Sequence, residues 1–91
     1  LANHKSALKR TRQNQLRRLR NRSNKSRMKT VIKNVLEAIA QNSVEQAQAA
    51  LKAAIPVIEK TAVKGAIHKK NASRNVSRLT KRVNALASSM Q

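Results

Sequence analysis

The sequence has no cysteine and no aromatic residue, and its 91 residues include one glycine and one proline. Without cysteine there is no disulfide, no thiolate metal site and no cysteine nucleophile, which sets the chain apart from stapled secretory domains. Without Phe, Tyr or Trp it lacks large core anchors and rings on which unpaired bases stack. Gly65 and Pro56 are the sole strong turn residues, so tight β-hairpins would be difficult to close and helices are the natural reading. Carboxylates are nearly as scarce, limited to Glu37, Glu45 and Glu59. No apolar run reaches the roughly 18 residues of a spanning helix. The basic start is not followed by the apolar block of a signal peptide, so the expected compartment is intracellular. An Arg-rich start also suits an organellar transit peptide, but residues 1–33 join the rest without a cleavage-like break.

What the chain has in excess is positive charge. Lys and Arg number 21 against three acidic residues, giving a net charge of +18. Of the 21, 12 lie in residues 1–33 with no carboxylate among them, one in residues 34–59 and eight in residues 60–82. Such a one-signed chain repels its own compact state, and a polyanion that binds the folded form supplies the missing stability. The apolar content is 40%, much of it alanine, so the core is thin, and domains this small seldom exceed about 3–5 kcal/mol of stability alone.

The pattern fits one domain, residues 1–91, folded as a three-helix bundle with helices over about 5–41, 44–64 and 68–88. The first is long and basic and contains neither Gly nor Pro. Its second half carries Met28, Ile32, Val35, Leu36 and Ile39 at three-four spacing, an apolar stripe. Leu8, Leu16 and Leu19 fall on roughly the opposite side, so the N-terminal half projects beyond the bundle without a core of its own. Asn42 suits a left-handed helix stop, and Ser43 with Gln46 matches a capping box. The second helix turns Val44, Ala47, Leu51, Ala54, Ile55, Ile58 and Ala62 inward, and Gly65 ends it. Pro56 cannot donate to the Lys52 carbonyl, so that helix either kinks there or breaks and restarts. In the third, Val76, Leu79, Val83, Leu86 and Met90 form a seam, with Lys70, Arg74, Arg78, Lys81 and Arg82 on the far side.

In the first helix, Lys9, Arg10, Arg12, Arg17, Arg18, Arg20, Arg22, Lys25, Arg27 and Lys29 project all around the cylinder. Solvated faces normally mix signs, whereas this one is purely cationic and rich in Arg, whose planar fork bonds two phosphate oxygens at once. Interleaved Gln13, Asn14, Gln15, Asn21, Ser23, Asn24 and Ser26 suit sugar hydroxyls, base edges or phosphates, or are neutral filler. The missing aromatics favour structured RNA or duplex DNA over single strands. His4 and His68 are not at metal-ligand spacing, and His68 reads as a helix-start residue or an RNA contact rather than a base. Glu37, Glu45 and Glu59 read as partners of nearby Lys. No nucleophile, base and orienter set suggests an enzyme, and no cofactor is implied.

Three blocks carry a resemblance. A-N-H-K-S-A-L-K-R at 2–10, R-R-L-R-N-R-S-N-K-S-R-M-K-T at 17–30 and K-G-A-I-H-K-K-N-A-S-R-N-V-S-R-L at 64–79 closely resemble the family of bacterial small-subunit ribosomal proteins numbered twenty. The resemblance implies a three-helix bundle without enzymatic activity, acting as a primary RNA-binding protein of assembly. Its partner would be small-subunit (16S) ribosomal RNA, at the 5′ domain and the long stem of the 3′ minor domain. The RNA-facing set it implies includes Asn3, Lys5, Ser6, Lys9, Arg10, Arg17, Arg18, Asn21, Lys25, Ser26 and Lys29. In the second basic block it includes His68, Lys69, Arg74, Ser77 and Arg78. The chain departs from the family in having Lys70 and then Asn71 after Lys69, and Asn75 and Val76 at two commonly basic positions. The rivals are a histone-like architectural DNA-binding protein and a cationic membrane binder. The latter is disfavoured because the first helix lacks a wide apolar face.

Overall fold

The computed structural model describes residues 2–89, with side chains from Lys5 onward. It contains three α-helices in sequence: α1 (Ala2–Ala40), α2 (Val44–Val63) and α3 (Lys69–Ser89). No strand occurs among the described residues, as expected where turn residues are so few. α1 begins before Lys5, and Gln41 already belongs to the turn.

Both connections are closed by the same backbone device. Asn42 takes φ 57°, the left-handed region, with its N–H donating to Ile39 and that of Ser43 donating back to Ala38 at 3.1 Å. Gly65 repeats this with φ 79°, its own N–H reaching the Ala62 carbonyl and that of Ala66 the Thr61 carbonyl. This paired-bond pattern satisfies helix-end carbonyls that would otherwise be orphaned. The expected capping box is not formed, because Ser43 makes no side-chain cap bond. One residue separates the left-handed Asn42 from α2, so the Ser43 backbone is committed to closing α1. Its carbonyl then accepts from Ala47 at 2.9 Å to start α2.

α2 continues through Pro56 rather than breaking and restarting. Ala54 and Ile58, either side of the proline, are both fully buried. Packing holds the two halves of the helix on one face despite the lost Lys52 hydrogen bond.

The core draws on all three helices: Met28, Val35 and Ala38 from α1, Ala47, Ala54 and Ile58 from α2, and Ala72, Leu79 and Val83 from α3. Val31, Ile32, Leu36, Ile39, Leu51, Val76 and Leu86 pack around them partly buried. The expected seam residue Met90 lies outside the described residues. Thr61 is buried too, its hydroxyl donating to the Val57 carbonyl at 2.7 Å, so its polar atom is satisfied. Contact runs chiefly from α1 to α2 and from α2 to α3, with little between α1 and α3.

The molecule is a rod, 70 × 21 × 14 Å, with a radius of gyration of 18.1 Å; a compact chain of this length would have about 12 Å. The cause is a length mismatch, since α1 spans about 58 Å and α2 about 30 Å. Because α2 folds back from Asn42, roughly the first half of α1 has no helix beside it. Every side chain from Lys5 to Arg20 is exposed.

Candidate nucleic-acid interface

One helix face changes its chemistry along α1. Met28, Val31, Val35 and Ala38 recur at alternating steps of three and four and pack into the bundle. Followed backwards, the same stepping gives Asn24, Asn21, Arg17, Asn14 and Arg10. The surface that meets α2 at one end of the helix therefore carries amides and guanidinium groups at the other. Asn24 and Asn21 are half-buried at the changeover, and Arg17, Asn14 and Arg10 are exposed beyond it.

The surface around this stripe is shallow and cationic. Asn14, Arg17, Arg18, Asn21, Arg22, Lys25, Ser26 and Lys29 line one open depression along α1. Gln13, Leu16, Arg17, Arg20, Asn21, Ser23 and Asn24 line a second, completed by Lys64 and Gly65 of the α2–α3 turn. Asn24 and Arg27 share a third with Pro56, Val57, Lys60, Thr61 and Lys64. Lys60 and Lys64 were not among the expected contacts, yet they join the α1 cations here. The fold-back about Asn42 explains it: Arg20 lies 22 residues before Asn42 and Lys64 lies 22 after.

Other expected site residues occupy two further regions. Lys5, Ser6, Lys9, Arg10 and Arg12 are exposed near the free end of α1, and the Asn3 side chain lies outside those described. On α3, Lys69, Lys70, Arg74, Ser77, Arg78, Lys81 and Arg82 are all exposed. They do not form one surface. Lys69 and Ser77 line a groove with Glu59, Ala62, Val63, Ala72, Ser73 and Val76, whereas Lys70, Arg74, Arg78 and Lys81 lie opposite the buried seam. The depressions of α1 are completed by α2 and the α2–α3 turn, not by α3.

His68 starts α3. Its Nδ1 accepts from the Lys70 N–H at 3.1 Å, and its carbonyl accepts from Asn71 and Ala72. The imidazole thus fills the place of an N-cap side chain, leaving the ring exposed. One turn on, the Asn75 amide donates to Asn71 Oδ1 at 2.9 Å.

Charge on this surface is almost uncompensated. Among the described residues the ion pair is Lys33–Glu37 at 3.8 Å, exposed on both sides, a type worth at most about 1 kcal/mol. Glu45 and Glu59 do not pair as expected, because no Lys or Arg stands three or four residues from either. The described residues contain no group of three or more potential metal-ligating His or carboxylate side chains. None of their helices is long and apolar enough to cross a membrane.

Comparison with known proteins agrees with the three resembling blocks. The family described as Ribosomal protein S20 matches residues 2–84. Small ribosomal subunit protein bS20 of Syntrophobacter fumaroxidans is 63% identical over 86 residues, 94% of this chain and 100% of that protein. The proteins of the same name from Trichlorobacter lovleyi and Geobacter sulfurreducens are 62% and 58% identical, each over 94% of this chain and 99% of the relative. With its ordered helices, its exposed basic surface and this near full-length identity, the chain belongs to the ribosomal protein S20 family.

Proposed function

We propose that this chain is a structural, non-catalytic constituent of the small ribosomal subunit. In this reading it binds small-subunit (16S) ribosomal RNA and holds RNA helices together during assembly. The observation that carries the reading is the change of chemistry along one face of α1. Where α2 ends, the face keeps its repeat but replaces Met and Val with Arg and Asn, so a polyanion takes the place that protein helices occupy lower down. Lys and Arg neutralise phosphates and release counterions, which lets RNA helices approach that would otherwise repel each other.

The proposed contacts are Lys5, Ser6, Lys9, Arg10, Arg12, Arg17, Arg18, Arg20, Asn21, Arg22, Lys25, Ser26, Arg27 and Lys29 on α1, with Asn3 beside them. His68, Lys69, Lys70, Arg74, Ser77, Arg78, Lys81 and Arg82 form a second set, and Lys60 and Lys64 are added to the first. The uniform exposure of the cations and the near absence of ion pairs support this assignment. The RNA regions proposed are the 5′ domain and the long 3′ minor-domain stem, bound early in assembly.

The test is competition binding at about 0.15 M salt, near physiological ionic strength. Labelled 5′-domain RNA is challenged with duplex DNA and with unrelated structured RNA. Resistance to both competitors is expected, and equal displacement by duplex DNA would instead indicate a histone-like architectural protein. With about ten phosphates engaged, the log-log salt slope is expected at roughly −7 to −9. A slope near −2 would refute extensive contact.

A further inference from the structure

The start of α3 hangs on one ring nitrogen. A helix N-cap is ordinarily the side-chain oxygen of Ser, Thr, Asp or Asn, none of which changes its charge near neutral pH. Here the acceptor is His68 Nδ1, which takes the Lys70 N–H at 3.1 Å, while the His68 carbonyl takes those of Asn71 and Ala72. Imidazole is the side chain whose ordinary charge change falls between about pH 5 and 8.

A ring nitrogen that accepts a hydrogen bond carries no proton, so this cap requires the neutral imidazole with its proton on Nε2. Protonation would turn Nδ1 into a donor facing another donor, and the bond to Lys70 would be lost. The new charge would also stand at the positive end of the α3 dipole. Its surroundings offer little to offset it. Lys69 and Lys70 belong to the same first turn, which contains no acidic residue. Lys60 and Lys64 stand at the end of α2, and Arg17 and Arg20 of α1 line the depression completed by Lys64 and Gly65. The neighbouring carboxylate is Glu59 of α2, which lines a groove with Lys69.

The core does little for this turn. Ile67 packs partly buried before it and Ala72 is buried after it, but His68, Lys69, Lys70 and Asn71 between them are all exposed. The cap therefore holds what packing does not.

We propose that His68 is a pH-sensitive N-cap. With the neutral ring α3 starts at Lys69; on protonation its first turn frays back toward Ala72, where the core takes over. Acidification thus loosens Lys69 and Lys70 while the rest of α3 stays packed.

The test uses the full chain at constant ionic strength. The sequence has two histidines, so in a His4→Gln background the remaining imidazole is His68. Long-range proton–nitrogen correlation spectra read its state directly, and the neutral Nε2–H tautomer is expected at about pH 8. As pH falls to about 5, the Cα shifts of residues 69–71 are expected to move from helical toward coil values along the titration curve of the ring. Those of Leu79 and Val83 are expected to stay. Tm is expected to fall by about 4–8 °C over this range, the size of one lost cap in a domain of this length. His68→Asn in the same background keeps a cap that does not titrate, and its Tm is expected to fall distinctly less. An Nδ1–H tautomer or a charged ring at the upper pH would overturn the proposal. Ring titration with residues 69–71 unmoved would overturn it too, as would an equal fall in Tm for His68→Asn.

Discussion

Removal of residues 1–12 separates the two ends of α1 by experiment. The deletion takes away Lys5, Lys9, Arg10 and Arg12, four of the 21 basic residues, and no carboxylate. It stops 16 residues short of Met28, where the core begins. Its side chains from Lys5 onward are all exposed. If each of the four cations displaces counterions from RNA, the salt slope becomes shallower by about 3 to 4. The affinities of the shortened and full chains should then converge as salt rises. Stability should move the other way or not at all, because the deletion removes self-repulsion and no buried contact. Thermal melting followed by helical circular dichroism, with RNA titrations at four or more salt concentrations, gives both readouts. A loss of about 1 kcal/mol would lower Tm by roughly 4–8 °C in a domain of this size. A fall beyond that would refute the claim that the overhang has no part in the core. An unchanged salt slope would refute its role as an anchor.

Three further perturbations test the bundle. Ile58→Ala removes a fully buried side chain and should cost about 2–5 kcal/mol, enough to unfold the isolated bundle; a cooperative melt near the parent Tm would contradict the thin core. Gly65→Ala meets no atom within 4 Å, so its penalty is the left-handed backbone alone, about 1–2 kcal/mol, while Asn42→Gly should leave stability unchanged or slightly raised in the same melts. His68→Ala should destabilise by about 0.5–2 kcal/mol and His68→Asn should restore the loss if the side chain acts as a cap; equal destabilisation by both would remove that role.

The elements most legible in the sequence were those whose signal is periodic. Val35, Ile58, Leu79 and Val83 announce their burial because apolar residues repeat around them at helical spacing. Leu8, Leu16 and Leu19 announce their exposure by falling off that phase. Asn42 and Gly65 were legible because few other residues accept positive φ. Thr61 and Ala72 carry almost no hydropathic signal, and their burial depends on the opposing helix. Ser43 and Gln46 match a capping box by a local rule, but the Ser43 backbone is committed to the preceding turn and its side chain makes no cap bond. Lys60 and Lys64 carry no such signal in the sequence, since their nearness to Arg20 and Arg27 exists only after the chain folds back. On α3 the helical repeat alone sets Lys70, Arg74, Arg78 and Lys81 on the side away from the seam, whereas the groove that Lys69 and Ser77 line with Glu59, Ala62 and Val63 of α2 exists only once the helices pack.

The overhang of α1 is joined to the bundle by continuous helix, with no flexible link between them. Its length and its orientation are therefore the same variable. Inserting one residue between Leu19 and Met28 would advance the tip by about 1.5 Å and also rotate it by about 100°, turning Arg10 and Arg17 away from their former heading. Seven inserted residues would return the tip to within about 20° of its original phase, displaced outward by about 10 Å. The projecting arm thus behaves like a screw thread, in which reach can be altered without loss of aim only in steps of about two helical turns.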